Sequence, residues 1–235
     1  MTGPTPVLLL LTLALAAAPG RSGGPAASVT FLDGQATRSA GGKTEALSLG
    51  SALSEGDQVE TQRRTRLELT LADGSLVRMG PLSRATLETA AFGKTADDRK
   101  VSARLLVGNV WANVAKAVGG EARFEVKTEN AVAGVRGTTF RVDASRDRSV
   151  VVRVYSGTVA VAGGGLPRPE HQQAGPRHQV PGPSEVTREQ WEKIVTAMME
   201  VRVSAAGEPE EPRPFALAAD DAWEAWNRAR DQGKE

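Results

Sequence analysis

From Ser28 to about Ala162 apolar and polar side chains alternate with a period of two, and a chain patterned this way has to bury one face of a series of strands. Arg123-Phe124-Glu125-Val126-Lys127-Thr128 shows the pattern in its simplest form, with Phe and Val on one face and charge on the other. Leu67, Leu69 and Leu71 repeat it. Ala72-Asp73-Gly74-Ser75 then supplies turn chemistry before Leu76 to Met79, which predicts a β-hairpin. A second hairpin is expected from Phe140 to Ala144, turning through Ser145 to Arg148 into Val150 to Tyr155. The 25 Gly and 13 Pro favour many turns over long helices, and the absence of Cys leaves packing to hold the fold together. The expectation is a mainly β protein: a compact β-sandwich or β-roll of short twisted strands, with one or two short C-terminal α-helices.

Three places share a local pattern in which a strand-like run meets a glycine and resumes: Leu32 to Ala36 around Gly34, Leu106 to Val110 around Gly108, and Tyr155 to Val159 around Gly157. Glycine there suits a tight turn or a bulge that redirects the strand. The three lie at irregular intervals, which favours a roll or sandwich over a regular β-helix. Gly134 and Gly137, flanking Val135-Arg136, are expected to be needed for backbone shape as well.

The chain divides into four parts. Residues 1–27 read as a signal peptide and flexible N-terminus, because Val7 to Ala18 is apolar throughout and small residues follow it. A membrane-spanning helix needs roughly 17–25 residues, so an uncleaved anchor is the lesser reading and no stable span is expected after cleavage. Residues 28–165 form the β domain, and the Gly, Pro, Gln and His of residues 166–186 form a linker. Residues 187–235 read as a helical, acidic tail packed on the β domain. Thr187 and Gln190 make a capping-box signature, and Trp191, Ile194, Val195, Met198 and Met199 fall on one helical stripe suited to docking. A second short helix from Asp220 to about Arg230 carries Trp223 and Trp226. It either docks more weakly or is offered to a partner. Residues 185–235 carry a net charge of −5 and the rest +6, so tail and body are electrostatically matched.

The overall charge of +1 argues against a nucleic-acid partner. No catalytic constellation emerges. His171 and His178 lie in the Pro/Gly linker with one adjacent carboxylate, and no Gly-x-Ser-x-Gly elbow is present. Asp97-Asp98 read as a solvated loop and Asp220-Asp221 as charges at a helix start. An enzyme is therefore not expected, and neither a cofactor nor a metal. The candidate binding residues are Arg136, which can anchor a carboxylate or glycan or pair internally; Trp111, which lines a recognition surface or is covered by the tail; and Arg63 with Arg64, an anionic-ligand patch or a solvated strand edge. Gly108, Gly134, Gly137 and Gly157 are the expected turn residues.

One ordered set of segments is more specific than any of these: Glu55 to Thr61 (EGDQVET), Leu67 to Gly80 (LELTLADGSLVRMG), Gly108 to Trp111 (GNVW), Lys127 to Phe140 (KTENAVAGVRGTTF) and Tyr155 to Val161 (YSGTVAV). In that order they resemble the FecR domain family across Ser28 to Ala162. The resemblance implies a bacterial periplasmic module of the kind found in regulators that pass a signal from an outer-membrane transporter to a sigma factor. Such regulators carry an anti-sigma segment before their membrane helix, whereas here only MTGPTP precedes the hydrophobic run. The expectation is a stand-alone exported FecR-like domain, periplasmic or secreted. It would be a non-catalytic sensor or adaptor whose partner is another envelope protein, with cell-wall glycan as the alternative ligand.

Overall fold

The computed structural model describes residues 25–93, 99–116, 123–164 and 192–233 of the chain. The hydrophobic run of the expected signal peptide, the 166–186 linker with both histidines, Asp97-Asp98, Thr187, Gln190 and Trp191 lie outside the described residues.

The alternation becomes strands, as expected. In chain order they are β1 (Ala27–Asp33), β2 (Ala36–Ala40), β3 (Lys43–Ala46), β4 (Ala52–Leu53), β5 (Gln58–Thr61), β6 (Arg66–Leu71), β7 (Leu76–Met79), β8 (Arg84–Phe92) and β9 (Arg99–Asn113). There follow β10 (Arg123–Lys127), β11 (Ala131–Val135), β12 (Thr139–Ala144), β13 (Val150–Ser156), β14 (Thr158–Gly163), β15 (Glu192–Thr196), β16 (Met199–Val203) and β17 (Arg213–Pro214). Both predicted hairpins are present as β6–β7 and β12–β13.

The strands form two layers that share β9. Sheet A runs β4-β1-β6-β7-β9-β12-β13-β16-β17 and sheet B runs β3-β2-β5-β8-β9-β10-β11-β14-β15. The first half of β9 pairs in sheet B, and from Gly108 onward it pairs in sheet A. Among the described strands only β9 and β10 pair in parallel. Val and Leu from both sheets face one another in a single buried cluster, where Phe124 of sheet B meets Phe140 of sheet A with ring centroids 6.3 Å apart. This is the sandwich geometry of two half-buried sheets.

The three strand-resuming glycines lie at corners where the chain passes directly from one sheet to the other. Gly34, Gly108 and Gly157 have φ of +102°, +98° and +86°. Each is braced by a hydroxyl from an opposing turn. The Gln35 N–H donates to Thr65 Oγ1 (3.0 Å), the Asn109 N–H to Ser83 Oγ (2.9 Å) and the Thr158 N–H to Thr138 Oγ1 (3.3 Å). The same hydroxyl then donates back to the carbonyl of the same residue. A Cβ on those glycines would lie 2.6, 2.3 and 2.7 Å from the bracing oxygens, so the corner closes only around glycine.

Two expectations need correction. Gly134 is not a turn: it sits within β11 without a positive φ, and a Cβ there would meet nothing closer than the Ala160 carbonyl at 3.9 Å. Gly137, two residues past the strand, is the turn residue, with φ +59°. Secondly, the helix expected over residues 187–200 is, in its described part, a β-hairpin of β15 and β16 turning at Met198 (φ +62°). The reason is tertiary. β15 adds to β14 and β16 adds to β13, so the hairpin continues both sheets and satisfies edge backbone groups that a helix would leave unpaired. With a period of two, Val195, Val201 and Val203 are buried, while Ile194 (57% exposed) and Met198 face outward.

One helix, α1 (Ala222–Asp231), is present among the described residues, close to the second helix expected from sequence. Asp221 caps it by accepting hydrogen bonds from the Trp223 and Glu224 N–H groups (3.1 and 2.9 Å).

Candidate interaction surfaces

With the inner faces committed to the core, the sheets are left with their outer faces for interaction. They differ sharply. The outward residues of sheet A are charged and aromatic, and α1 lies across them. Glu68 on β6 and Arg78 on β7 sit opposite one another in register and form an ion pair of 2.7 Å. Arg141 on β12 pairs with Asp143 (2.8 Å), and Arg153 on β13 pairs with Asp143 (3.3 Å) and Glu200 (2.9 Å). Glu68, Arg78, Arg141 and Glu200 are all buried.

Onto this charged face α1 brings complementary groups. Asp231 accepts from Arg78 (2.7 Å) and from Trp111 Nε1 (2.9 Å). Arg230 makes a two-fold contact with the Glu68 carboxylate at 3.1 Å, and Asp221 pairs with Arg141 at 2.5 Å. The Tyr155 hydroxyl donates to Glu224 (3.0 Å). The apolar share is a separate aromatic cluster of Trp111, Trp223 and Trp226 with Phe31 and Tyr155, distinct from the inter-sheet core. Trp111 and Tyr155 centroids lie 4.2 Å apart, and Arg141 stacks over Trp223 at 5.0 Å.

The pairings set the electrostatics. Burial pushes the Glu68 carboxyl up, but hydrogen bonds from Arg230 and Arg78 outweigh it and hold the group below its ordinary pKa. Burial likewise opposes, and the Arg141 and backbone hydrogen bonds prevail, in keeping Asp221 low. Asp143 moves the other way, because burial outweighs its arginine partners and raises it. Burial and the Glu224 carboxylate raise the Tyr155 phenol. Among the described residues no group of three or more His, Asp or Glu side chains is placed to hold a metal ion.

The outer face of sheet B carries charge in its middle, where Arg104 and Lys127 meet Glu88. Beyond that it flattens into a concavity of about 530 Å³ with Gly134 and Ala160 in its lining, flanked by Arg123, Arg136 and the exposed Ile194. The smallness of Gly134 thus leaves a dip in the surface.

The structure scatters the candidate binding residues. Trp111 is 1% exposed beneath α1, so it offers no stacking surface while the helix is seated. Arg136 borders the concavity of sheet B. Arg63 and Arg64 are exposed in the turn between β5 and β6, Arg64 with φ +56°. Trp111 lies under α1 on sheet A and Arg136 in the turn after β11, at the rim of the sheet B concavity, so the two are not brought together. Of the residues expected to dock the tail, Val195 packs into the core, Ile194 and Met198 do not, and Trp191 lies outside the described residues. Missed by sequence reasoning were Glu68, Arg78 and Arg141. A charge on the outer side of a strand reads as solvated unless something covers it. The available signal was on the other partner: Trp223, Trp226 and Arg230 recur at helical spacing on one face of α1.

Residues 57–160 match the FecR protein family, in agreement with the resemblance read from the segments, although over a shorter span than Ser28 to Ala162. No curated protein matches the sequence. Two crystal structures of a candidate anti-sigma factor from Parabacteroides distasonis, at 2.50 and 1.65 Å, are similar to this chain. They share 19% and 18% identity over 71% of this chain and 63% of theirs, each with a TM-score of 0.49, so the likeness spans less than two thirds of those structures.

Proposed function

We propose that this chain, whose residues 57–160 match the FecR family, is a non-catalytic protein-interaction module of the bacterial cell envelope, a sensor or adaptor in signalling or envelope assembly. The family match carries this reading, and a signalling role is its coarse content. Export and the envelope location rest on the Val7 to Ala18 run alone. In support of a binding rather than a chemical role, the buried charges are consumed in ion pairs that tie α1 to sheet A. The exposed concavity beside Gly134 and Ala160, with Ile194 and two arginines around it, is a surface with mixed apolar and charged chemistry suited to a protein partner.

Photo-crosslinking from position 194 in living cells, followed by fractionation, tests the reading. The expected result is a periplasmic or secreted protein that forms an adduct with a discrete envelope protein and stays in solution when mixed with purified cell-wall material. Sedimentation with the cell wall and no protein adduct would overturn it in favour of glycan binding. Recovery of the chain from the cytoplasm would overturn the exported location.

A further inference from the structure

We propose that the outer face of sheet A is a helix-receiving surface, that α1 occupies it in cis as a displaceable latch, and that the partner it fits is an amphipathic helix of another protein with the chemistry of α1. That chemistry is two indoles three positions apart, an acidic N-cap and a C-terminal Arg-Asp pair. The inference rests on the reading of the chain as a protein-interaction module and adds the surface and its control.

Four observations carry it. First, the charges of sheet A have partners of their own. Glu68 keeps Arg78, Arg141 keeps Asp143, and Arg153 keeps Asp143 and Glu200 when α1 is lifted away. Leaving a buried charge unpaired is what normally makes such a contact costly to open, and it does not arise here. The uncovered face would interleave these paired charges with Trp111, Tyr155 and Phe31, a mixed surface that an amphipathic helix fits. Second, the aromatic cluster under α1 is separate from the inter-sheet core, so opening sacrifices the one and leaves the other intact.

Third, the seated helix fits imperfectly. Trp223 Nε1, Glu224 Oε1 and Asn109 Oδ1 are buried without a hydrogen-bond partner, three of the four such side-chain atoms among the described residues. All three belong to this interface or border it: a Cβ built on Gly80 would meet both Asn109 Oδ1 and the Trp223 ring. Orphaned polar atoms weaken the closed state. Fourth, the tether allows release. Residues 216–220 are exposed, and beneath the tether lies an open cavity of about 720 Å³ lined by Arg153, Glu200, Arg213, Phe215, Asp221 and Glu224. A ten-residue helix is marginal by itself, so α1 needs a surface to fold on, in cis or exchanged for an equivalent helix in trans.

Native-state hydrogen exchange on the full chain tests the latch. The α1 amides should exchange on the order of 100-fold faster than those of β12 and β13, through an opening that leaves the strands protected. Protection of α1 as deep as that of β12 would make it a fixed part of the fold and overturn the proposal.

A labelled peptide of residues 219–233 then tests the face. Full-length Trp226→Ala, with its own latch weakened, should bind the peptide at least about tenfold more tightly than the wild-type chain does. Arg78→Ala in the same background should abolish that gain. Equal binding by wild type and variant would overturn the proposal. So would concentration-dependent dimerisation of the wild-type chain at the expense of the cis-closed form, which would make a second copy the occupant. Should Trp226→Ala fail to fold, the exchange measurement on the wild-type chain still decides. An adduct from position 194 would stand whichever way α1 behaves, so the two readings fail separately.

Discussion

Gly108 shows how much one residue decides in this fold. Its φ of +98° turns β9 from one sheet to the other, and Ser83 stands where a side chain would go, its Cα 2.5 Å from an ideal Cβ. Gly108→Ala should therefore cost well over the roughly 1 kcal/mol of an ordinary glycine replacement, read as a fall in thermal midpoint. Gly134→Ala should be close to neutral, since that residue lies in a regular strand with open space above it. Ser83→Ala leaves the partly buried Asn109 N–H without its acceptor, and its expected cost is about 1 kcal/mol by chemical denaturation. The corner glycines were legible because each interrupts a strand-like run that then resumes, although the same kind of reasoning failed at Gly134, which stays within its strand. Their braces were not, because Thr65 and Ser83 come from strand connections 26 to 30 positions away in sequence.

Whether residues 192–203 form a helix or a hairpin is decided by their neighbours. Ile194, Val195, Met198 and Met199 satisfy a helical stripe and, almost as well, a strand period broken at a turn. β13 and β14 present open edges to them, and main-chain hydrogen bonding to those edges settles the choice. No window of local sequence contains that information. Val195→Ala should destabilise the protein by about 1.5–3 kcal/mol, because the side chain is fully buried between the sheets. Ile194→Ala should leave the melting temperature within error, since the side chain points to solvent. The helical reading expects comparable losses at both positions, so the pair distinguishes hairpin from helix. α1 was legible from the Asp-Asp start and the spaced tryptophans, yet its docking partners on β6, β7 and β12 look in sequence like any solvated strand face.

At the scale of the whole molecule, opposite charge on body and tail becomes specific pairs. Glu68, Asp221 and Glu200 are held below their ordinary pKa by arginines despite burial, so each contributes stability at neutral pH that fades as pH falls through its depressed folded value. Asp143, with a raised pKa, takes up its proton more readily folded than unfolded and offsets part of that loss. The net expectation is acid lability below the usual carboxylate range, with α1 released before the body unfolds, visible as loss of near-UV signal while the β signature persists. Substituting Glu68 with Gln should remove part of this acid dependence. The most direct test of the central claim, that α1 closes sheet A through its buried contacts, is the Trp111 indole N–H resonance in the full chain. That proton donates to Asp231 at 2.9 Å. The resonance should be protected from solvent exchange and displaced from the position of a free indole, and Asp231→Ala should shift it and speed its exchange while strand amides hold. A Trp111 indole that exchanges freely in the wild-type chain, or one indifferent to Asp231→Ala, would contradict the account.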